Sequence, residues 1–195
     1  RIAATFLKAI GFDHGFFNME FIVDEQSGQL KVIEFNPRMA AQFSDLYARV
    51  DGINLHEMAL ALSQGVDPTE LPKKAPAASC AASFVYRSFD PVAAITMPGA
   101  AKIQAFKTAF PDALLLQFPR LSSQIERDWK WLGSYRYGIM HLGGHSSDDL
   151  RRRCEAASAM LGWPAPYAAH LADVPGLGDD EAFWLDAIET EKASS

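Results

Sequence analysis

Apolar residues recur at helical spacing from the start of the chain. Ile2, Phe6, Ala9 and Ile10 share a face, and Gly11 supplies a stop. Two strand-like runs follow, about Gly15–Val23 and Leu30–Asn36, joined by Asp24-Glu25-Gln26-Ser27-Gly28, a spacer with hairpin-loop chemistry. After Arg38, the positions Phe43, Leu46, Tyr47 and Val50 predict a short amphipathic helix. Asn54 and Glu57 then have capping-box spacing ahead of Met58, Leu60 and Leu62, with Gly65 as the stop. Residues 67–78 carry three prolines and no periodicity, and read as a linker. Beyond them strands are expected near 83–89, 113–118 and 134–144, with a helix near Ala100–Ala109. A longer helix is expected after Gly144, with a serine cap, acids in its first turn and a stripe of Leu150, Cys154, Ala157 and Leu161. The stretch "DDEAFWLDAIE" predicts one more short helix. This pattern predicts an α+β chain in four parts: residues 1–66, the linker 67–78, a small α+β module over 79–163, and a tail over 164–195.

The hairpin places two acids inside its apolar runs. Strand side chains alternate, so Phe16, Asn18, Glu20 and Ile22 share one face of the first strand, and Leu30, Val32, Glu34 and Asn36 one face of the second. A loop over 25–29 pairs Asp24 with Leu30, and that register sets Glu20 opposite Glu34 and Asn18 opposite Asn36. Side chains so opposed have Cβ atoms about 4.5–5.5 Å apart, where like charges repel. The pair is tolerable if both acids are solvated on an open face, if one is protonated, or if a cation sits between them. Phe17, Met19, Phe21, Ile33 and Phe35 form an apolar opposite face that supplies the core side, which frees the acids to face a cleft. Carboxylate and amide oxygens suit a hard ion such as Mg²⁺ or Mn²⁺. Arg38, just past Pro37, would stand beside such a metal with a guanidinium suited to phosphate oxygens.

Composition narrows the classes. Apolar residues make up 49% and charged residues 22% of 195, the profile of an ordinary globular chain. A net charge of −6 argues against a nucleic-acid partner held through phosphates. No apolar run approaches the roughly 18–20 residues of a membrane span, and no signal-peptide pattern is present, so no membrane partner and a cytoplasmic setting are expected. Cys80 and Cys154 lie in unrelated segments without metal-ligand spacing and are expected as free thiols. The stretch "RDWKWLGSYRYG" alternates aromatic and basic residues as nucleic-acid surfaces can, but in an acidic chain it reads as an amphipathic packing surface. Arg151, Arg152 and Arg153 read as a solvated helix face, and none of His14, His56, His141 and His145 has a partner at ligand spacing. The chain opens on Arg1 directly in a helical pattern, which predicts a piece of something longer.

The string "GFFNMEFIVDEQSGQLKVIEFNPR", followed by "DGINLHEMALALSQG", resembles the C-terminal part of the ATP-grasp domain over roughly residues 1–66. That superfamily includes biotin carboxylase, carbamoyl-phosphate synthetase, D-alanine–D-alanine ligase and L-amino-acid ligases. The acid of "NMEF" and the "EFNPR" run are the specific elements of the resemblance. It implies the C-terminal half of an ATP-grasp domain, an antiparallel sheet with packed helices, using ATP and Mg²⁺ (or Mn²⁺). Carried over by position, Glu20, Glu34 and Asn36 would be metal ligands and Arg38 the phosphate or transition-state contact. The segment "YRYGIMHLGGHSSDDLRRRCEAASAMLGW" is similar to the strand–Gly–helix ending of carboxylase-like and amino-acid-ligase-like members.

The resemblance also sets expectations by what departs from it. The N-terminal domain, the lid and the hinge of such an enzyme would precede Arg1, and no P-loop or G-x-G-x-x-G replaces them, so this chain by itself is expected neither to bind ATP well nor to turn over. Biotin carboxylases place a glutamate base four residues after the arginine. Here that position is Gln42, which cannot take a proton in that role, and carboxylate–amine or similar ligation is favoured instead. The implied reaction activates a small-molecule carboxylate as an acyl-phosphate, which an amine or other nucleophile attacks. Two rival readings stay open at this level. One is a non-catalytic association module or remnant, with the apolar tail around Phe183 and Trp184 docking on the body or on a second copy to form a homodimer. The other is a metal-dependent hydrolase using the same pair of acids.

Overall fold

The computed structural model describes residues 1–89, 95–119 and 122–167, the side chains of Ser122, Trp129 and Trp131 excepted. The chain is α+β, with antiparallel sheets and packed helices. It forms two compact units: Arg1–Ser83 with Gly143–Ser147, and Phe84–Leu142 with the described residues from Asp148 on.

The first unit begins with α1 (Ile2–Ile10), which ends where Gly11 turns left-handed (φ 67°) and donates its N–H to the Leu7 and Lys8 carbonyls. Strands β1 (Asn18–Val23) and β2 (Leu30–Asn36) form an antiparallel hairpin. The first strand starts at Asn18 rather than Gly15, because His14 sits at positive φ (52°) and bends the chain ahead of it. An aromatic cluster fastens α1 to one side of the hairpin. The Phe6 and Phe12 rings lie 5.1 and 5.4 Å from that of Phe35, and Phe17 stacks on Phe35 at 6.1 Å.

The register corrects the expected one in a particular way. Val23, not Asp24, pairs with Leu30, followed by Ile22↔Lys31 and Phe21↔Val32. A bulge then absorbs Ile33, and the pairs Glu20↔Glu34, Met19↔Phe35 and Asn18↔Asn36 follow. The bulge sorts the hairpin by polarity. Without it Lys31 would share the Met19 and Phe21 face, and Leu30 and Val32 the Glu20 face. With it Leu30 and Val32 join Phe21 and Val23 on the face of Phe35.

The loop is held by Asp24, whose carboxylate accepts from the Gln26 N–H (3.0 Å) and the Ser27 N–H (3.2 Å), while Gly28 at φ 65° closes the turn. The Ser27 backbone and side chain, then the Gln26 N–H, hold the Asp24 carboxyl below the ordinary aspartate value. A pKa lowered in the folded state contributes stability that is complete above the unfolded value of about 4 and is lost as pH falls through the lowered one. Asp24→Ala is therefore expected to weaken the hairpin at pH 7, with a difference from wild type that shrinks on acidification toward pH 2. Urea midpoints across that range check this, and a pH-independent difference would count against it.

Further along, α2 (Ser44–Val50) follows a 3-10 turn over Ala41–Phe43, and α3 (Leu55–Ser63) is capped by Asn54. The Asn54 side-chain oxygen accepts from the His56 and Glu57 N–H groups, and its amide donates to Glu57 at 2.9 Å. The proline-rich stretch is tied down along this pair. The Ala77 and Ala78 N–H groups donate to the Arg49 carbonyl (2.8 and 3.0 Å), and that of Lys74 donates to the Gly52 carbonyl (3.1 Å).

The second unit contains most of a three-stranded sheet in the order β3 (Cys80–Ser88), β5 (Tyr135–Gly144), β4 (Leu114–Gln117). Helices α4 (Ala100–Ala109), α5 (Ser122–Leu132) and α6 (Ser147–Leu161) complete the described elements. The stripe expected on α6 is its core face: Leu150, Cys154, Ala157 and Leu161 are all buried. Tyr86 is fully buried among them and donates to the Ser158 hydroxyl (2.8 Å), which itself donates to the Cys154 carbonyl (2.7 Å). Burial raises both the Tyr86 and Cys154 pKa values, so both groups stay neutral at pH 7. The Trp163 ring lies where a side chain on Gly138 would go, which explains a glycine in the middle of a buried strand.

Helix α5 was not expected, and the stretch "RDWKWLGSYRYG" is divided between its end and the start of β5 by Gly133 at φ 63°. The arginines of α6 are less uniformly solvated than expected, since Arg153 is bound to Asp112 at 2.6 Å. The short helix expected in "DDEAFWLDAIE" lies outside the described residues. Cys80 and Cys154 are free thiols. Among the described residues no helix is long and apolar enough to cross a membrane.

Candidate metal and phosphate site

The hairpin brings together three of the four residues singled out in the sequence. Glu20 and Glu34 are directly opposed across β1 and β2, and Asn36 opposes Asn18 one pair further along the same face. Side chains at such positions have Cβ atoms about 4.5–5.5 Å apart, close enough for both carboxylates to reach one cation. Both glutamates are exposed and both asparagines half-buried. Among the described residues no salt bridge engages Glu20 or Glu34. The acids are therefore accessible to a hydrated ion without a burial penalty.

The donor set fits a hard cation. Mg²⁺ retains several waters and takes one or two carboxylates, with phosphate oxygens filling other positions. An open face carrying two carboxylates and an amide oxygen meets that requirement. Among the described residues no three His, Cys, Asp or Glu side chains converge on one point. Holding an ion here thus depends on the two acids together with an asparagine, and the remaining coordination must come from water or ligand.

Arg38 follows through a tight turn. Its N–H donates to the Asn36 carbonyl (2.8 Å) across Pro37, whose fixed φ suits such a three-residue turn. The Arg38 guanidinium is exposed and makes a 3.4 Å contact with the Met39 carbonyl. Gln42, at the position of the carboxylase base, donates its amide to the Ser83 hydroxyl at 3.3 Å.

Among the histidines, His56 touches the Ser44 hydroxyl at 3.1 Å, a pairing twelve residues apart that spacing had not suggested. Ser44 also reaches the Ala41 carbonyl (2.9 Å), and its contact with His56 ties α3 to α2.

Comparison with known proteins adds a direction. The chain is similar to the carbamoyl phosphate synthase large chain of Pseudothermotoga lettingae, 38% identical over 66 residues, covering 34% of this chain and 6% of that protein. The same protein of Xylella fastidiosa is 26% identical over 146 residues, 75% of this chain and 12% of its own. That of Kineococcus radiotolerans is 24% identical over 177 residues, 83% of this chain and 15% of its own. This chain is a distant, partial relative of carbamoyl phosphate synthase large chains. It spans between 6% and 15% of the length of these relatives. The likeness supports the ATP-grasp superfamily and carries no support for biotin carboxylase-like detail. No family model matches the chain. No solved structure matches it significantly.

Proposed function

We propose that this chain is the C-terminal part of the ATP-grasp domain of an ATP-dependent, carboxylate-activating ligase, with a small α+β module after it. The observation that carries this reading is the opposition of Glu20 and Glu34 on one exposed hairpin face, with Asn36 beside them. Similarity to carbamoyl phosphate synthase large chains supports the class of reaction. In this reading Glu20, Glu34 and Asn36 hold Mg²⁺ or Mn²⁺, and Arg38 donates to phosphate oxygens or to the reacting carboxylate. The bound ion would neutralise the charge of the ATP phosphates. The hairpin's contribution is position: two acids set by one register need little rearrangement to take up an ion. A substrate carboxylate then attacks the γ-phosphorus, ADP leaves, and an amine or other nucleophile displaces phosphate from the acyl-phosphate. The hydrogen-bonded amide of Gln42 supplies no base at the carboxylase position, which favours amine ligation. Small-molecule carboxylates and amines are the substrates of this reading, with a cytoplasmic setting and no nucleic-acid or membrane partner.

The chain itself provides the test. Electron paramagnetic resonance titration is expected to show Mn²⁺ binding on the order of 0.1–1 mM, lost in the Glu20→Gln, Glu34→Gln double variant. Calorimetry with MgATP is expected to show affinity weaker than micromolar, since adenine and lid contacts belong to other segments of such a domain. Absence of Mn²⁺ binding, or equal binding by the double variant, would overturn the assignment. Micromolar MgATP affinity would overturn the division of labour within it.

A further inference from the structure

Ile33 is the extra residue of the hairpin, because Val32 pairs with Phe21 and Glu34 with Glu20. A one-residue insertion exchanges the faces of every residue beyond it. Strict alternation back from Glu34 would put Lys31 on the apolar side. The observed pairing of Lys31 with Ile22, two residues from Glu20 on β1, puts it on the carboxylate side instead. Sorting Leu30 and Val32 onto the apolar face thus brings a lysine to the acidic one.

We propose that Lys31 is a selectivity residue of the carboxylate site, a cation that disfavours a bare divalent ion and favours one that arrives bound to a polyphosphate. The inference rests on the metal reading of Glu20 and Glu34. Diagonal neighbours on one sheet face lie about 7–8 Å apart, within reach of a lysine's four-carbon stem. Lys31, Glu20 and Glu34 are all exposed, so the ammonium can move without breaking a packed contact. An ammonium about 8 Å from a divalent ion in a solvated setting lowers its affinity roughly three- to fivefold, less as salt rises. A bound polyphosphate reverses the sign. The complex is then anionic, and the three ammonium donors make charge-assisted hydrogen bonds to its oxygens.

The test compares the chain with Lys31→Met and Lys31→Arg, each titrated with Mn²⁺ alone and with Mn²⁺ plus inorganic tripolyphosphate. Amide spectra confirm that the hairpin register survives at this exposed position. Lys31→Met is expected to bind bare Mn²⁺ about three- to fivefold more tightly and Mn²⁺–tripolyphosphate roughly three- to tenfold more weakly. Lys31→Arg should stay near wild type in both arms, and added salt should shrink both differences. Both shifts are required: a change in one arm only, or in neither while the wild type binds Mn²⁺ through Glu20 and Glu34, overturns the role of Lys31 and leaves the metal site standing. No Mn²⁺ binding by the wild type removes the metal site, and this inference with it.

Discussion

Replacing Glu34 by Gln in the proposed full-length ligase is expected to lower kcat by about 100-fold or more while leaving the protein as stable as before, or slightly more so. The substitution preserves shape and one acceptor oxygen but removes the charge that holds a divalent ion. Because Glu34 is exposed and directly opposes Glu20, removing its charge also relieves a like-charge repulsion across the strands. A carboxylate kept for structure would behave oppositely, since its loss would lower stability and activity together. Turnover and urea midpoint measured on the same variant separate the two cases. Near-normal turnover would overturn the ligand assignment. A large fall in stability would mean that the acid serves the fold.

The same opposition weighs the rival readings. Two solvated glutamates on an inert hairpin gain nothing from standing opposite one another, because like charges there repel. The register adopted places the acids together, at the same time as it places Leu30 and Val32 with Phe21 and Val23. Apolar sorting alone accounts for the far half of the hairpin. The near half carries Asn18, Glu20, Glu34 and Asn36 on one face, the arrangement that the proposed cation site requires. A hydrolase would require a nucleophile or activated water, and the Ser44 hydroxyl is engaged in the fold, between the Ala41 carbonyl and His56 where α2 meets α3.

The pairing of the acids was legible for reasons that were partly mistaken. Turn chemistry at Asp24–Gly28 located the loop, but Val23 rather than Asp24 pairs with Leu30, an error of one residue. The bulge introduces a second error of one residue in the opposite direction, and the two cancel at Glu20 and Glu34. Nothing in alternating residue types marks a bulge, because both registers give a run of apolar and polar positions. Only cross-strand pairing distinguishes them, and with it the face of Lys31. The core face of α6 was legible because its stripe repeats at helical spacing over a long element. Helix α5 was not, since Trp129 and Trp131 stand two apart and imitate strand alternation. The proline-rich stretch read as a linker from its composition. Its backbone bonds to Arg49 and Gly52 are long-range contacts that no local pattern announces.

Those contacts lead to the largest stability effect expected in the first unit. Gly52 follows α2 at φ 67°, and a Cβ built there would run into the backbone carbonyl of Lys74. Its own carbonyl accepts the Lys74 N–H at 3.1 Å, so the two backbones approach as closely as a missing side chain allows. Gly52→Ala therefore combines a left-handed conformation that costs about 1–2 kcal/mol with a collision against backbone, which cannot swing aside as a side chain can. The segment over 71–78 must lift from α2, losing its bonds to Gly52 and Arg49, and the total is expected to reach about 3–5 kcal/mol. Gly65 is the control. It has a similar φ of 73° with nothing near its missing Cβ, so Gly65→Ala should cost only about 1 kcal/mol. Urea midpoints of the two variants measure the contact directly, because the conformational strain is common to both. Equal losses would show that the proline-rich stretch does not lie against the α2–α3 turn. A gap of about 2 kcal/mol or more would show that residues 71–78 are held to the unit that carries the carboxylate pair.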